Sequence, residues 1–156
     1  MARIFLLLLV FQIKHFVADF LLQNKYMMGK FSKDWYFFLP LLAHAGINGI
    51  FTLAICLFIN PSLWWLSLVD IVTHFFIDRI KAGYKYFGKF KALSESEMKE
   101  NLEIMNVERM LGQTKYGNNI RKAIKHNTYF WFALGFDQML HQVVYIFIVA
   151  ALVWNL

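Results

Sequence analysis

Asp70, His74 and Asp78 recur at every fourth position in the run DIVTHFFID, which is otherwise Ile, Val, Thr and Phe. On a helix that spacing sets a carboxylate, an imidazole and a second carboxylate along one slowly drifting stripe. Three more apolar stretches carry matching pieces: His15 and Asp19 in KHFVADFLLQ, His44 and Asn48 in LLAHAGIN, and Asp137 and His141 in FDQMLHQ. Nitrogen and oxygen donors with no thiolate among them suit a divalent ion, with zinc first and manganese or iron next, over Cu(I). The expected ligands are His15, Asp19, His44, Asp70, His74, Asp78, Asp137 and His141. They suffice for two ions, or for one ion whose imidazoles are oriented by carboxylates. One carboxylate, Asp70 or Asp137, is expected to serve as general base, and spacing does not decide which.

Ionisable groups in hydrophobic spans cost roughly 2.5–3.5 kcal/mol each on insertion scales, so eight of them must be paired, hydrated or metal-bound. Four of the five Asp residues lie in the apolar stretches, while all five Glu residues fall between Glu95 and Glu108. Asp is the poorer helix former, so propensity would place the two acids the other way round. A metal-free bundle in which Asp and His bond one another, as in a proton path, uses the same residues.

Neighbouring residues have two readings each. Gln23, Asn48 and Gln138 serve either as orienting amides or as hydrogen bonds between helices. Arg79 and Lys81, just past Asp78, either hold a phosphate or carboxylate headgroup or simply mark the cytoplasmic end of a span. Lys14 lies 100° around the helix from His15 and is expected to snorkel. His126 falls among basic residues and is expected to be solvated. Cys56 sits mid-span and is expected to pack, leaving no disulfide framework.

The elements that must position these side chains are membrane spans. Hydrophobic residues are 59% of the 156, and charged residues 17%, too apolar a chain to be a soluble domain of one core. The expected fold is all-α: a four-helix antiparallel transmembrane bundle, a single domain over 1–156, with spans at about 3–23, 36–59, 63–80 and 128–154. Each approaches the ~20 residues that cross ~30 Å of hydrocarbon. The break Asn60-Pro61-Ser62 predicts a tight antiparallel pair. The N-terminal apolar run lacks a small-x-small cleavage pattern and is expected to be retained.

Residues 81–127 form the one sizeable polar segment. Ser94 and Glu97 make a capping-box signal for a helix reaching about Leu111 before Gly112. Met98, Leu102 and Met105 give it an apolar stripe suited to the membrane surface.

Of 16 Lys and Arg residues, eleven lie between Arg79 and Lys125 and three in the first connection. With four spans both basic loops share one side, which is expected to be cytoplasmic, with both termini outward, in a bacterial inner membrane. All eight candidate ligands then fall in the cytoplasmic half or near the midplane. The net charge of +6 is accounted for by anionic lipid, and no nucleic acid partner is expected.

The motifs HFVADFLLQ with Lys25 or Lys30 following, LLAHAGIN, VDIVTHFFIDRIK and FDQMLHQ, in that order, resemble small bacterial and phage integral-membrane proteins grouped as a domain of unknown function. The likeness spans most of the chain, leaving 83–127 outside its motifs. More distantly, the His-x-x-x-Asp pattern in short spans is similar to a group of membrane-bound metal-dependent hydrolases, which implies hydrolysis without naming a substrate. Di-iron carboxylate bundles differ, because they use Glu and Glu-x-x-His.

The leading expectation is a metal-dependent hydrolase acting from the cytoplasmic side on a lipid-borne or membrane-partitioned substrate. Alternatives are a proton- or metal-conducting protein using the same residues, a di-iron redox enzyme, and a phage-type membrane regulator. Membrane lipid is the expected partner, and a homo-oligomer is compatible with so much apolar surface.

Overall fold

The computed structural model describes residues 2–32, 34–83, 100, 103–104, 106–107, 110–112 and 128–155. Among them every regular element is helical. α1 (Ala2–Phe16) continues into a π-helical turn (Val17–Leu21), closed by a Leu22 N–H to Val17 carbonyl bond of 2.9 Å. Two 3₁₀ turns, Met27–Phe31 and Trp35–Phe37, lead into α2 (Phe38–Ile59). A third, Pro61–Leu63, joins α2 to α3 (Leu66–Ala82), and α4 (Thr128–Trp154) is the last described helix.

Three helical stretches are long and apolar enough to cross a membrane: Ala2–Leu21, Trp35–Ile59 and Trp131–Trp154. α3 has 17 residues, and Asp70, Asp78, Arg79 and Lys81 dilute its apolar content. The first span ends at Leu21, two residues before the expected boundary, because the π turn breaks off there. The helix expected over 94–111 lies largely outside the described residues, as do its stripe residues Met98, Leu102 and Met105, and His126. Within the described part Gly112 takes φ 68°, the left-handed conformation that ends helices at glycine.

Local chemistry explains the ends. Pro40 sits in the first turn of α2, where its missing N–H costs nothing. Asn60 leaves the helix in an extended conformation, and its side-chain oxygen accepts from the Ser62 N–H at 3.1 Å and the Ser62 hydroxyl at 2.7 Å. Pro61 then opens the next turn. This short clasp returns the chain as α3, antiparallel to α2.

α2 and α3 pack closely because position 49 is glycine. A Cβ there would lie 2.1 Å from Ile71 Cγ1 and 3.2 Å from the Ser67 carbonyl oxygen. Small residues that let backbones approach are how helices associate where no hydrophobic force separates lipid from protein.

The apolar core sits at the Asn60 end of the bundle, in Phe11, Cys56, Leu63, Leu66, Tyr145, Ile148, Val149 and Leu152. Cys56 is fully buried there as a free thiol. Elsewhere the usual sorting is inverted. Phe5, Leu6, Phe58, Phe76, Phe132 and Phe147 are exposed, while Lys14, His15, Asp19, Lys30, His44, Asp70, His74, Asp78, Asp137 and His141 are buried. Exposed aromatics around a charged interior are what a lipid environment selects and water penalises. Between α1 and α4 even a surface pair is satisfied, with Gln12 donating to Gln142.

Candidate metal centre

The fourfold spacing on α2 and α3 becomes a ladder when the two helices run antiparallel. His44 Nε2 lies 3.2 Å from Asp78 Oδ2, Asn48 Nδ2 lies 3.3 Å from His74 Nε2, and the Thr52 hydroxyl donates to Asp70 Oδ2 at 2.6 Å. Each rung is one turn from the next, because residues four apart share a helix face. α4 presents Asp137, His141 and Tyr145 with the same period, and α1 presents His15 and, one turn on, Asp19. Asp19 falls inside the π turn, a local widening that recurs at functional sites.

Among the described residues, three groups of side chains converge closely enough to hold an ion: His15, Asp19 and His74; His44, His74 and Asp78; and Asp78, Asp137 and His141. Within each, one ligand atom per residue lies within 4.8 Å of the others, and all these residues are buried. His74 and Asp78 each belong to two groups, so the three merge into one cluster. Its imidazoles lie close together, with ring centroids 4.2 Å apart and tilted for His74 and His141, and 5.0 Å apart and edge-on for His44 and His74.

Hydrogen bonds orient the donors. His141 Nδ1 lies 2.9 Å from the Asp137 carbonyl oxygen, which can only accept. Nδ1 therefore carries the proton and Nε2 presents its lone pair, the form a metal ligand needs. Asn48 donates to Asp19 Oδ1 at 2.7 Å, holding that carboxylate toward His44 and His74, whose Nε2 atoms lie 3.7 and 3.6 Å from it. His15 is more fully engaged: Nδ1 meets the Tyr145 hydroxyl at 3.0 Å and Nε2 meets Gln138 Oε1 at 2.9 Å. An ion on His15 would have to displace Gln138.

Several buried atoms have no hydrogen-bond partner: Nδ1 of His44 and of His74, Nε2 of His141, Asp137 Oδ1 and Asn48 Oδ1, while His44 Nε2 has only its 3.2 Å approach to Asp78 Oδ2. Orphaned polar atoms inside a bundle are expensive, and here they are concentrated on imidazoles and a carboxylate facing one another. This donor set fits a divalent ion of the zinc, manganese or iron kind.

Asp70, one of the expected ligands, lies in none of the three groups. Its Oδ2 accepts from Lys14 Nζ at 2.6 Å and from Thr52 at 2.6 Å. Eight residues of helix separate it from Asp78 by ~12 Å of rise, so one site does not hold both. Lys14 does not snorkel: it is 4% exposed, paired with Asp70 and 3.2 Å from the Tyr145 hydroxyl. α1 packs against both α2 and α4, so more than one of its stripes is covered.

Among the flanking residues, Gln138 donates to Asp137 Oδ2 at 3.1 Å besides meeting His15. Gln23 lies apart, donating to the Met28 sulfur at 3.2 Å. The Arg79 guanidinium stacks 3.4 Å from the centroid of the Phe37 ring. Lys81 Nζ donates to Asp137 Oδ2 at 2.6 Å. Lys30, noted only as one of two lysines following the first motif, is buried and pairs with Asp78 Oδ2 at 2.7 Å. Tyr145 is likewise absent from the expected site, although its position four residues after His141 continues the α4 stripe.

No curated protein and no solved structure matches this chain. The profile of one family matches it from residue 4 to residue 156, and the chain therefore belongs to the family described as "Protein of unknown function (DUF3307)".

Proposed function

We propose that this chain is a membrane-embedded, metal-dependent hydrolase, with a centre formed by His44, His74, Asp78, Asp137 and His141 and flanked by Asp19 and His15. The observation that carries the reading is the set of unpartnered buried donor atoms on His44, His74, His141 and Asp137. A bundle folded for structural polarity alone would pair them.

In this reading α3 is a short fourth span of a single domain, and the basic connections, including residues 81–127 with their amphipathic helix, lie on the cytoplasmic side of a bacterial inner membrane. The centre sits toward that side. Asp78 is four residues from the end of α3, and Lys30 and Lys81 reach the cluster from the same end.

A bound divalent ion supplies an acidified water and polarises a scissile carbonyl or phosphoryl group. His44, His74, Asp78 and His141 are the residues to hold it. Asp137 is the better general base of the two expected carboxylates: each is paired with a lysine, but only Asp137 lies among the candidate ligand groups and keeps a buried oxygen, Oδ1, unpartnered. Asn48 and Gln138 orient Asp19, His15 and Asp137. A lipid-borne substrate suits a centre enclosed by helices whose outer faces are apolar.

Conduction is disfavoured by the plug beneath the polar layers, where Phe11, Leu63, Leu66, Ile148 and Leu152 close the bundle. The redox reading lacks the Glu ligands of di-iron bundles.

The test is metal content by mass spectrometry on detergent-purified protein, beside a screen of lipid esters and phosphoesters. One or two equivalents of zinc or manganese, with turnover lost on chelation and restored on reloading, are expected. Iron would favour redox chemistry. Protein purified without metal and unable to take up zinc or manganese would overturn the reading.

A further inference from the structure

The cluster is covered at its loop end by two amines. Lys30 rides on the 3₁₀ turn Met27–Phe31, which is seated hard against the start of α2: a Cβ on Gly29 would lie 2.9 Å from Pro40 Cγ. Asn24 caps the turn by accepting from the Met27 N–H at 3.0 Å. Held this way, Lys30 is 5% exposed and reaches Asp78 at 2.7 Å. Lys81, in the last turn of α3, reaches Asp137 at 2.6 Å with its side chain 24% exposed. Asp78 and Asp137 belong to the same candidate ligand group, together with His141. Each ammonium thus caps one carboxylate of the cluster, Lys30 on Asp78 and Lys81 on Asp137.

Net charge limits what the loaded cluster can accept. With its imidazoles neutral, the cluster of Asp19, Asp78 and Asp137 under Lys30 and Lys81 carries one net negative charge. One divalent ion turns that into one net positive charge, and two ions into three. A carboxylate that joins an ion loosens its hold on the ammonium, leaving buried positive charge that an anion would relieve. An ammonium is a compact cation with three rotatable donors, well suited to a phosphate group. A neutral ester or amide would leave both amines uncompensated.

We propose that Lys30 and Lys81 form a phosphate-binding lid over the loaded centre, so that the substrate class is a phosphoester. The lid rests on the proposed metal centre. The phosphate group belongs either to a lipid headgroup or to a soluble phosphoester, and the recognition chemistry is shared.

The experiment is calorimetric titration of the full chain in detergent, first with zinc and then, after removal of excess metal, with inorganic phosphate. Phosphate should bind the zinc-loaded protein at least about tenfold more tightly than the metal-free protein. Lys30→Met and Lys81→Met should each weaken phosphate binding by about tenfold or more while zinc binds as tightly or more tightly. Lys30→Arg and Lys81→Arg should retain phosphate, and they keep the test open should Lys30→Met fail to fold.

Equal phosphate affinity in wild type and both Met variants would overturn the lid, as would loss of zinc affinity in a folded Lys81→Met protein. Zinc binding without phosphate binding overturns the lid alone; no zinc binding overturns the metal reading with it. Repeating the phosphate titration in nanodiscs of phosphatidylcholine with and without phosphatidic acid assigns the source. Competition by phosphatidic acid supports a headgroup, and undiminished phosphate binding supports a soluble phosphoester.

Discussion

Two polar layers lie one above the other in this bundle, and their bonding differs. In the deeper layer Lys14, Thr52, Asp70 and Tyr145 are matched donor to acceptor. Lys14 and Thr52 both donate to Asp70, Lys14 also reaches the Tyr145 hydroxyl, and that hydroxyl meets His15. No fully buried side-chain polar atom of this layer lacks a partner. One turn nearer the loops, the cluster of His44, His74, Asp78, Asp137 and His141 is as deeply buried, yet orphaned atoms remain on four of those five residues. Burial is therefore not what marks a site. A satisfied polar layer accounts for its own cost and needs no ligand, whereas an unsatisfied one calls for something that the protein itself does not supply.

The largest contrast should come from breaking the deeper layer. Asp70→Ala leaves Lys14 buried and unpaired, and should cost about 3–5 kcal/mol of stability. Unfolding by denaturant in detergent measures it. The double variant Lys14→Met, Asp70→Leu should recover most of that loss, and metal binding should survive in it. A double variant that folds but no longer binds metal would make the two layers one site.

His74→Ala acts on the upper layer and should reverse the pattern. It removes a member shared by two candidate groups, so zinc affinity should fall by more than the roughly 10–100-fold typical of outer-shell losses. Metal-free stability should change far less than in Asp70→Ala, because losing the 3.3 Å contact of His74 with Asn48 leaves no buried charge unpaired: Asp78 keeps Lys30 and Asp19 keeps Asn48. Comparable destabilisation in both variants would remove the distinction between the layers.

Asn48→Leu should sharpen the comparison, since Asn48 touches the cluster without being among its ligand groups. Losing its 2.7 Å bond to Asp19 should weaken zinc binding by about 10–100-fold, read by competition with a chelating dye. The smallest effect is expected from Tyr145→Phe. It removes a hydroxyl between Lys14 and His15 and should cost about 1 kcal/mol, with zinc affinity nearly unchanged.

Much of the cluster was legible because helical spacing is a local property. His44 and Asn48 on one apolar stretch, and Asp70, His74 and Asp78 on another, announce their shared faces by position alone. Thr52 extends the α2 stripe in the same register but is too common a span residue to stand out. Lys14 was expected to snorkel and is buried instead, because which of α1's stripes is covered depends on how many helices flank it. Lys30 was illegible for a different reason. It sits in an irregular connection with no periodicity, and a close contact between Gly29 and Pro40 delivers it to Asp78. Asp70 shared the signature of the ligands and differed in depth, so its partners and not its spacing set it apart.

The sequence by itself determined that apolar helices bury a set of His and Asp side chains, since hydropathy and a rise of ~1.5 Å per residue are properties of the single chain. It also determined the tight return at Asn60-Pro61, whose chemistry lies within three residues. Tertiary structure alone decided which carboxylate meets which cation. Those pairings depend on the register of α2 against α3, set where Gly49 admits Ile71, and on the loop that carries Lys30 across the mouth. Azimuth and register are relations between helices, and no spacing within one helix encodes them.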